Sequence, residues 1–206
     1  MAWQKNIGIA AAAAALLITS ACSTVDNATS DTTPSTTVSA APASASDVAF
    51  AQGMIPHHEQ AVEMADLALD PRADASAQVK QLARQIKGAQ DPEIEMMTQW
   101  LQQWGAPTEM PGTTGDLAGM DHSGHDMGGM TMSGMMTAEQ MQDLHQATGA
   151  TFNTMWLEMM IAHHEGAIAM AEQVKASSTD PAVTRLADEI IAAQRAEITT
   201  MRQDLK

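Results

Sequence analysis

The chain carries one helical stripe twice. Met54, His57, His58, Ala61 and Met64 stand at i, i+3, i+4, i+7 and i+10, and Met160, His163, His164, Ala167 and Met170 repeat that spacing. At about 100° per residue, each set falls on one face of an α-helix. The repeat extends well beyond the stripe. Asp47-x-x-Phe50 precedes the first copy where Asn153-x-x-Trp156 precedes the second, and Gln90-x-x-Glu93-Ile94-x-x-Met97 follows the first where Gln194-x-x-Glu197-Ile198-x-x-Met201 follows the second. A helical pattern, a polar break and a second helical pattern, given twice, predict two αα-hairpins, and two such hairpins make an all-α four-helix bundle.

Local signals set the expected boundaries. The first helix runs from about Asp47 to Leu69, with a bend where Pro56 removes a backbone donor. Asp70-Pro71 and Asp180-Pro181 have the N-cap and N1 signature of a helix start and open the second and fourth helices. Gly88 and Asp91-Pro92 predict a kink or a restart before Glu93, whereas the fourth helix reads uninterrupted to its end. Residues 105–136 are rich in Gly, Met, His, Asp and Thr and follow neither helical nor strand periodicity. Thr137-x-x-Gln140 supplies a capping box for a short helix to about Thr148, and the third long helix follows from about Thr151 to Lys175.

The flanking N-terminal segments have a different character. Residues 1–21 read as a signal peptide, with Lys5 followed by an apolar run from Ile7 to Ile18 that is short for a membrane span. Ile18-Thr19-Ser20-Ala21-Cys22 resembles a bacterial lipobox, which would make Cys22 the lipidated mature N-terminus; an ordinary secreted protein with an incidental cysteine is the alternative. Residues 22–46 are Ser, Thr, Ala and Pro with almost no large apolar side chain, the composition of a disordered tether. Residues 47–206 form the bundle, interrupted by the 105–136 loop.

Composition narrows the chemistry. Among 206 residues the formal net charge is −15 and there are only 10 Lys and Arg, which argues against nucleic acid and toward cations as partners. Eighteen methionines exceed what gap-filling in a core requires, and the single cysteine, Cys22, excludes an internal disulfide and a thiolate cage in the bundle. Soft ligands must therefore be Met or His. Imidazole and thioether together suit copper, His for Cu(II) and Met for Cu(I), better than oxygen-seeking Mg, Ca or Mn, and zinc is possible on His alone. Met54, His57, His58, Met160, His163 and His164 are the first-choice ligands, with Met64 and Met170 as secondary ones. Met120, His122, His125, Met127 and Met130 stand among glycines, so a flexible chelator accounts for them better than packing does. The bland alternative is that the four histidines are buried, hydrogen-bonded residues of a structural envelope protein.

A ferritin-like di-iron site uses Glu-x-x-His on two helices and a Glu on each of the other two. Here the residue three before His57 and His163 is Met54 and Met160, a thioether in place of a carboxylate. That exchange disfavours a di-iron oxidase. Glu93 and Glu197 are either the partner carboxylates of the centre or helix-surface charges.

At these residues the chain resembles the DUF305 family, whose pattern of Phe or Trp followed by Met-Ile-x-His-His-x-x-Ala-x-x-Met-Ala is met by Phe50 with Met54 to Ala65 and by Trp156 with Met160 to Ala171. The resemblance covers about Asp47 to Leu205, apart from the middle loop, and implies a ferritin-like four-helix bundle, export, and the copper binding and copper resistance reported for some members. In composition the 105–136 loop also resembles the Met/His/Asp repeats of periplasmic copper-resistance proteins. The expectation is a membrane-tethered, extracytoplasmic protein that sequesters or hands on copper and needs no catalysis. A ferritin-like metal-dependent redox enzyme is the alternative.

Overall fold

A computed structural model of the chain describes residues 43–109 and 133–206, which contain five helices and no strand. They are α1 (Ala45–Leu69), α2 (Ala77–Trp104), α3 (Ala138–Gln146), α4 (Gly149–Ser177) and α5 (Pro181–Asp204), with a 3₁₀ turn at Pro71–Ala73 between α1 and α2. The four long helices form the expected two hairpins, α1 on α2 and α4 on α5, joined chiefly where α1 packs along α4. Cys22, Met120, His122, His125, Met127 and Met130 lie outside the described residues.

Each start has a local cause. Ser44 and Asp47 form a capping box, the Asp47 N–H donating to Ser44 Oγ at 3.1 Å and the Ser44 N–H to Asp47 Oδ2 at 3.2 Å. Asp47 is therefore the third residue of α1 rather than its first. Thr137 and Gln140 make the predicted box for α3, and Asp180 caps Ala182 and Val183 at the start of α5. The matching signal at Asp70-Pro71 opens only the 3₁₀ turn, because Asp74 enters the left-handed region (φ 48°) and ends it; α2 restarts under Ser76, whose Oγ accepts from the Val79 N–H.

The restart that Asp91-Pro92 could signal does not occur, and α2 is continuous from Ala77 to Trp104 with Pro92 inside it. Pro92 and Gly88 both face solvent, so water can satisfy the Gly88 carbonyl that Pro92 leaves without a donor. Pro56 likewise lies inside a continuous α1. Two long-range hydrogen bonds hold the hairpins together. Trp156 Nε1–H donates to the Met64 carbonyl at 2.8 Å, and the Ser76 N–H donates to Asn153 Oδ1 at 2.9 Å.

The apolar core falls into two clusters. One gathers Met64, Ile86, Phe152, Trp156, Met160 and Met201, and the other Phe50, Met54, Met97, Leu101, Val183 and Ile190. Fully burying side chains of this size contributes roughly 1.5–3 kcal/mol each. Between the clusters, at the middle of the helices, lie the buried polar residues His57, His58, Gln90, His163, His164 and Gln194. The stripe that the sequence repeats is thus a polar layer cutting the core in two.

Candidate metal centre

All four histidines are completely buried. The two helices that carry them cross in contact, and the His57 and His163 rings stand 3.9 Å apart between centroids, tilted by 46°. His58 and His164 point outward from that pair to the flanking helices. His58 Nε2–H donates to Glu93 Oε2 on α2 at 2.7 Å, and His164 Nε2–H donates to Glu197 Oε2 on α5 at the same distance. The internal repeat is therefore a pseudo-two-fold arrangement in space. Glu93 and Glu197, whose role the sequence left open, are the carboxylates that orient the outer histidines.

A third ring is oriented by different means. His57 Nε2–H donates to the Ser133 carbonyl at 3.0 Å. Residues 133–136 cross the bundle as a strap held at several points. Gln60 brackets Met136, accepting its N–H at 2.7 Å and donating to its carbonyl at 2.9 Å. On the other side α4 offers Gly166, where a Cβ would stand 1.8 Å from the Ser133 oxygen, and Gly134 takes φ 84° to pass over it. In the repeat Gly166 occupies the position of Gln60, so the same site in each half serves the strap, once by a side chain and once by lacking one. On the other side of residues 110–132 the chain is also pinned to α1, through Gln52 Nε2–H to the Pro107 carbonyl at 2.8 Å.

These bonds leave a specific set of atoms over. Among the described residues, Nδ1 of His57, His58, His163 and His164 has no hydrogen-bond partner, and neither has Nε2 of His163. A carboxylate or carbonyl can only accept, so it fixes Nε2 as the protonated nitrogen and leaves Nδ1 as the donor atom. Burial pushes the His57 imidazole down from 6.5 to about 4, with the Ser133 carbonyl opposing and His58 and His164 adding to the fall. Burial first, then the neighbouring His57, His164 and His58, holds His163 well below the usual range, with the nearby His57 backbone carbonyl opposing the fall. Both inner rings are accordingly neutral near pH 7, the form that ligates a metal.

The structure brings the four histidines together and separates the sulfurs. Met54 lies in one apolar cluster and Met160 in the other, so the two thioethers flank the histidine layer from opposite ends. Met64 is fully buried in the cluster with Met160. Met170 is only half-buried and lines a surface cavity of about 160 Å³ with Phe50 and Val174. Among the described residues, no three side chains of His, Cys, Asp or Glu are grouped as a closed metal site. The donors are oriented by their outer hydrogen bonds but not drawn onto one point. The Nδ1 set fits a metal by its chemistry, since a buried orphan nitrogen whose ring partner is held by a carboxylate is the usual state of a ligating histidine.

Together the fold and the site define a four-helix bundle in which two histidine–carboxylate pairs and a closely spaced, tilted histidine pair occupy the mid-plane. The chain belongs to the DUF305 family: the family model, described as a domain of unknown function, matches residues 47–205. It is similar to the crystal structure of a DUF305 protein from Streptomyces coelicolor, described as a candidate secreted protein, with 32% identity over 76% of this chain and 89% of that one and a TM-score of 0.64. A DUF305 fragment from Deinococcus radiodurans is 30% identical over 80% of this chain and 98% of its own, with a TM-score of 0.66. CopM in its Cu(II)-bound form is 33% identical over 77% of this chain and 95% of its own, with a TM-score of 0.59, and CopM is also known in Cu(I)-bound, silver-bound and metal-free forms. No curated protein matches the chain.

Proposed function

We propose that this protein binds copper outside the cytoplasm, sequestering it or handing it on, and that it is not an enzyme. The observation that carries the reading is the set of buried, unpartnered Nδ1 atoms on His57, His58, His163 and His164, with the opposite nitrogens of His58 and His164 held by Glu93 and Glu197. An unpartnered buried polar atom costs about 1–3 kcal/mol, and a fold that keeps four of them in one layer has a use for the lone pairs. Imidazole flanked by the thioethers of Met54 and Met160 favours copper over oxygen-seeking cations, with zinc as the competitor on imidazole alone. The existence of copper-bound forms of CopM, a similar bundle, supports the same choice. A net charge of −15 draws cations toward the protein.

Location follows from the N-terminal sequence: an exported lipoprotein held at the membrane through Cys22. The description of the Streptomyces relative as a candidate secreted protein supports export. No helix among the described residues is long and apolar enough to cross a membrane. Cys22→Ser should move the protein from the membrane fraction to the soluble extracytoplasmic fraction, and a wild-type protein already found there would overturn the anchor.

The copper assignment is tested by metal analysis and chelator competition on protein from copper-supplemented cells. Replacing His57, His58, His163 and His164 together with Gln should abolish the tightest copper binding and the copper-dependent rise in melting temperature, leaving weaker binding by the Met/His segment. Retention of both in the quadruple variant would show that the layer only packs.

A further inference from the structure

Gln90 and Gln194 are not explained by anything above. Each belongs to the core-facing series of its helix, Val79, Leu82, Ile86, Gln90, Met97 and Leu101 on α2, and Val183, Leu186, Ile190, Gln194, Ile198 and Met201 on α5. Every other member of both series is apolar. Both glutamines are 3% exposed, and they are equivalent by the internal repeat. Each lies one helical turn before Glu93 or Glu197, about 4.5 Å along the axis, which places it at the level of the histidines rather than within either apolar cluster. Among the described residues, Gln90 finds no partner for Oε1 or Nε2 and Gln194 none for Oε1. A buried amide left in this state is rare, and two at symmetric positions point to a shared ligand.

Resting on the copper reading, we propose that Gln90 and Gln194 select the oxidation state of the bound ion: their amide oxygens serve the divalent ion, directly or through one intervening water. The donors already in the layer divide by softness. Imidazole accommodates both states, whereas the thioethers of Met54 and Met160 favour the monovalent ion. A divalent copper ion seeks a tetragonal set of nitrogen and oxygen donors, and oxygen is what the histidines and methionines lack. Glu93 and Glu197 sit against the Nε2 edge of His58 and His164, on the far side of each ring from the Nδ1 donor, and are partly exposed, so they are poorly placed to supply it. The glutamine oxygens are uncommitted, uncharged and buried. A neutral amide also lets the ion leave more readily than a second pair of carboxylates would, which suits a protein that receives and releases its cargo.

The test is a pair of affinity titrations on the mature protein, Cu(II) by competition with a chromophoric chelator and Cu(I) under anaerobic reductant, on wild type and on the Gln90→Leu/Gln194→Leu variant. Leucine is close to glutamine in size and removes only the amide. Cu(II) affinity should fall about 10- to 100-fold, the range seen when an outer partner of a metal site is removed. The Cu(II) paramagnetic resonance spectrum should change, and Cu(I) affinity should stay within about threefold of wild type. Each single variant should show an intermediate Cu(II) loss, which keeps the proposal testable if the double variant misfolds. Wild-type Cu(II) affinity and spectrum in the variants would show that the amides merely occupy space, and an equal loss of both ions would show a general disturbance of the bundle; either result overturns the proposal. Wild-type protein that binds neither ion refutes the copper reading itself, and this assignment with it.

Discussion

Replacing the inner pair, His57→Leu together with His163→Leu, should make the metal-free protein more stable, the opposite of what a core double substitution usually does. The pair carries three nitrogens without partners among the described residues, His57 Nδ1 and both nitrogens of His163. At about 1–3 kcal/mol for each unsatisfied buried atom, their removal returns roughly 3–9 kcal/mol. Against this stand the loss of the His57 bond, which leaves the inward-facing Ser133 carbonyl unpaired at about 1–3 kcal/mol, and imperfect packing of two leucines, about 1–3 kcal/mol. At the middle of these ranges the net gain is about 2 kcal/mol, or roughly 4–8 °C in melting temperature for a bundle of this size. His58 and His164 are left in place because their removal would strip Glu93 and Glu197 of their partners. The assay is urea unfolding of chelator-treated protein, with an unchanged slope and a higher midpoint expected for the variant. The same variant should lose its copper-dependent stabilisation. A metal-free variant no more stable than wild type would mean that the ring nitrogens are already satisfied and that the argument from orphan atoms fails.

The remaining predictions concern acid, the carboxylates and the strap. His57 has a folded pKa of about 4 against 6.5 when unfolded, so between those values the unfolded chain binds more protons; its contribution is complete above about pH 6.5 and is lost as pH falls toward 4, costing about 3 kcal/mol. His163 adds to the loss in the same direction, and an acid titration of unfolding free energy that stays flat from pH 7 to 4.5 would contradict both shifts. Glu93→Gln and Glu197→Gln should each lower copper affinity about 10- to 100-fold while leaving helical content unchanged, as measured by competition titration and circular dichroism. Gly166→Ala should destabilise the protein by about 1–3 kcal/mol, because its Cβ would overlap the Ser133 carbonyl, whereas Gly88→Ala, with nothing within 4 Å, should stabilise it by about 0.5–1 kcal/mol. Equal melting temperatures for the two alanine variants would remove the strap from its assigned place.

Much of the architecture was legible because the chain states it twice. The doubled Met-x-x-His-His stripe and the doubled Gln-x-x-Glu-Ile run fix four helices, their pairing and the meeting of α1 with α4. The local errors have local causes: Asp-Pro reads alike whether a helix or a 3₁₀ turn follows, and Pro92 is harmless only because its surroundings face water. The site was legible as a set of histidines but not as a geometry. That Glu93 reaches His58 and Glu197 reaches His164 depends on the rotation of α2 and α5, which spacing within one helix does not report. In the sequence the strap is indistinguishable from the aperiodic 105–136 loop, since Ser133 and Gly134 have no apolar pattern; their place is set by a backbone carbonyl and by the missing side chain of Gly166. The one available clue was the break in the repeat itself, Gln60 against Gly166 after otherwise identical His-His-Glu triplets.

That break is what makes two equivalent halves inequivalent. In a strictly two-fold layer His57 and His163 would face each other as identical donors. The strap removes the equivalence by binding His57 through Nε2, which commits His57 to Nδ1 just as Glu93 commits His58 and Glu197 commits His164. His163 alone has neither nitrogen engaged among the described residues. Three of the four candidate ligands are thus held in one orientation by the protein itself, so on the copper reading little rotational freedom would be lost in binding an ion. In the fourth, no hydrogen bond among the described residues selects one nitrogen over the other. A carrier has to receive an ion from one set of donors and yield it to another, and four fixed rings would hold the ion while admitting no exchange of ligands. If the copper reading holds, one unfixed ring beside three fixed ones would supply both retention and a first bond that can open. In this chain the difference between them comes down to a glycine at position 166 where the other half has Gln60.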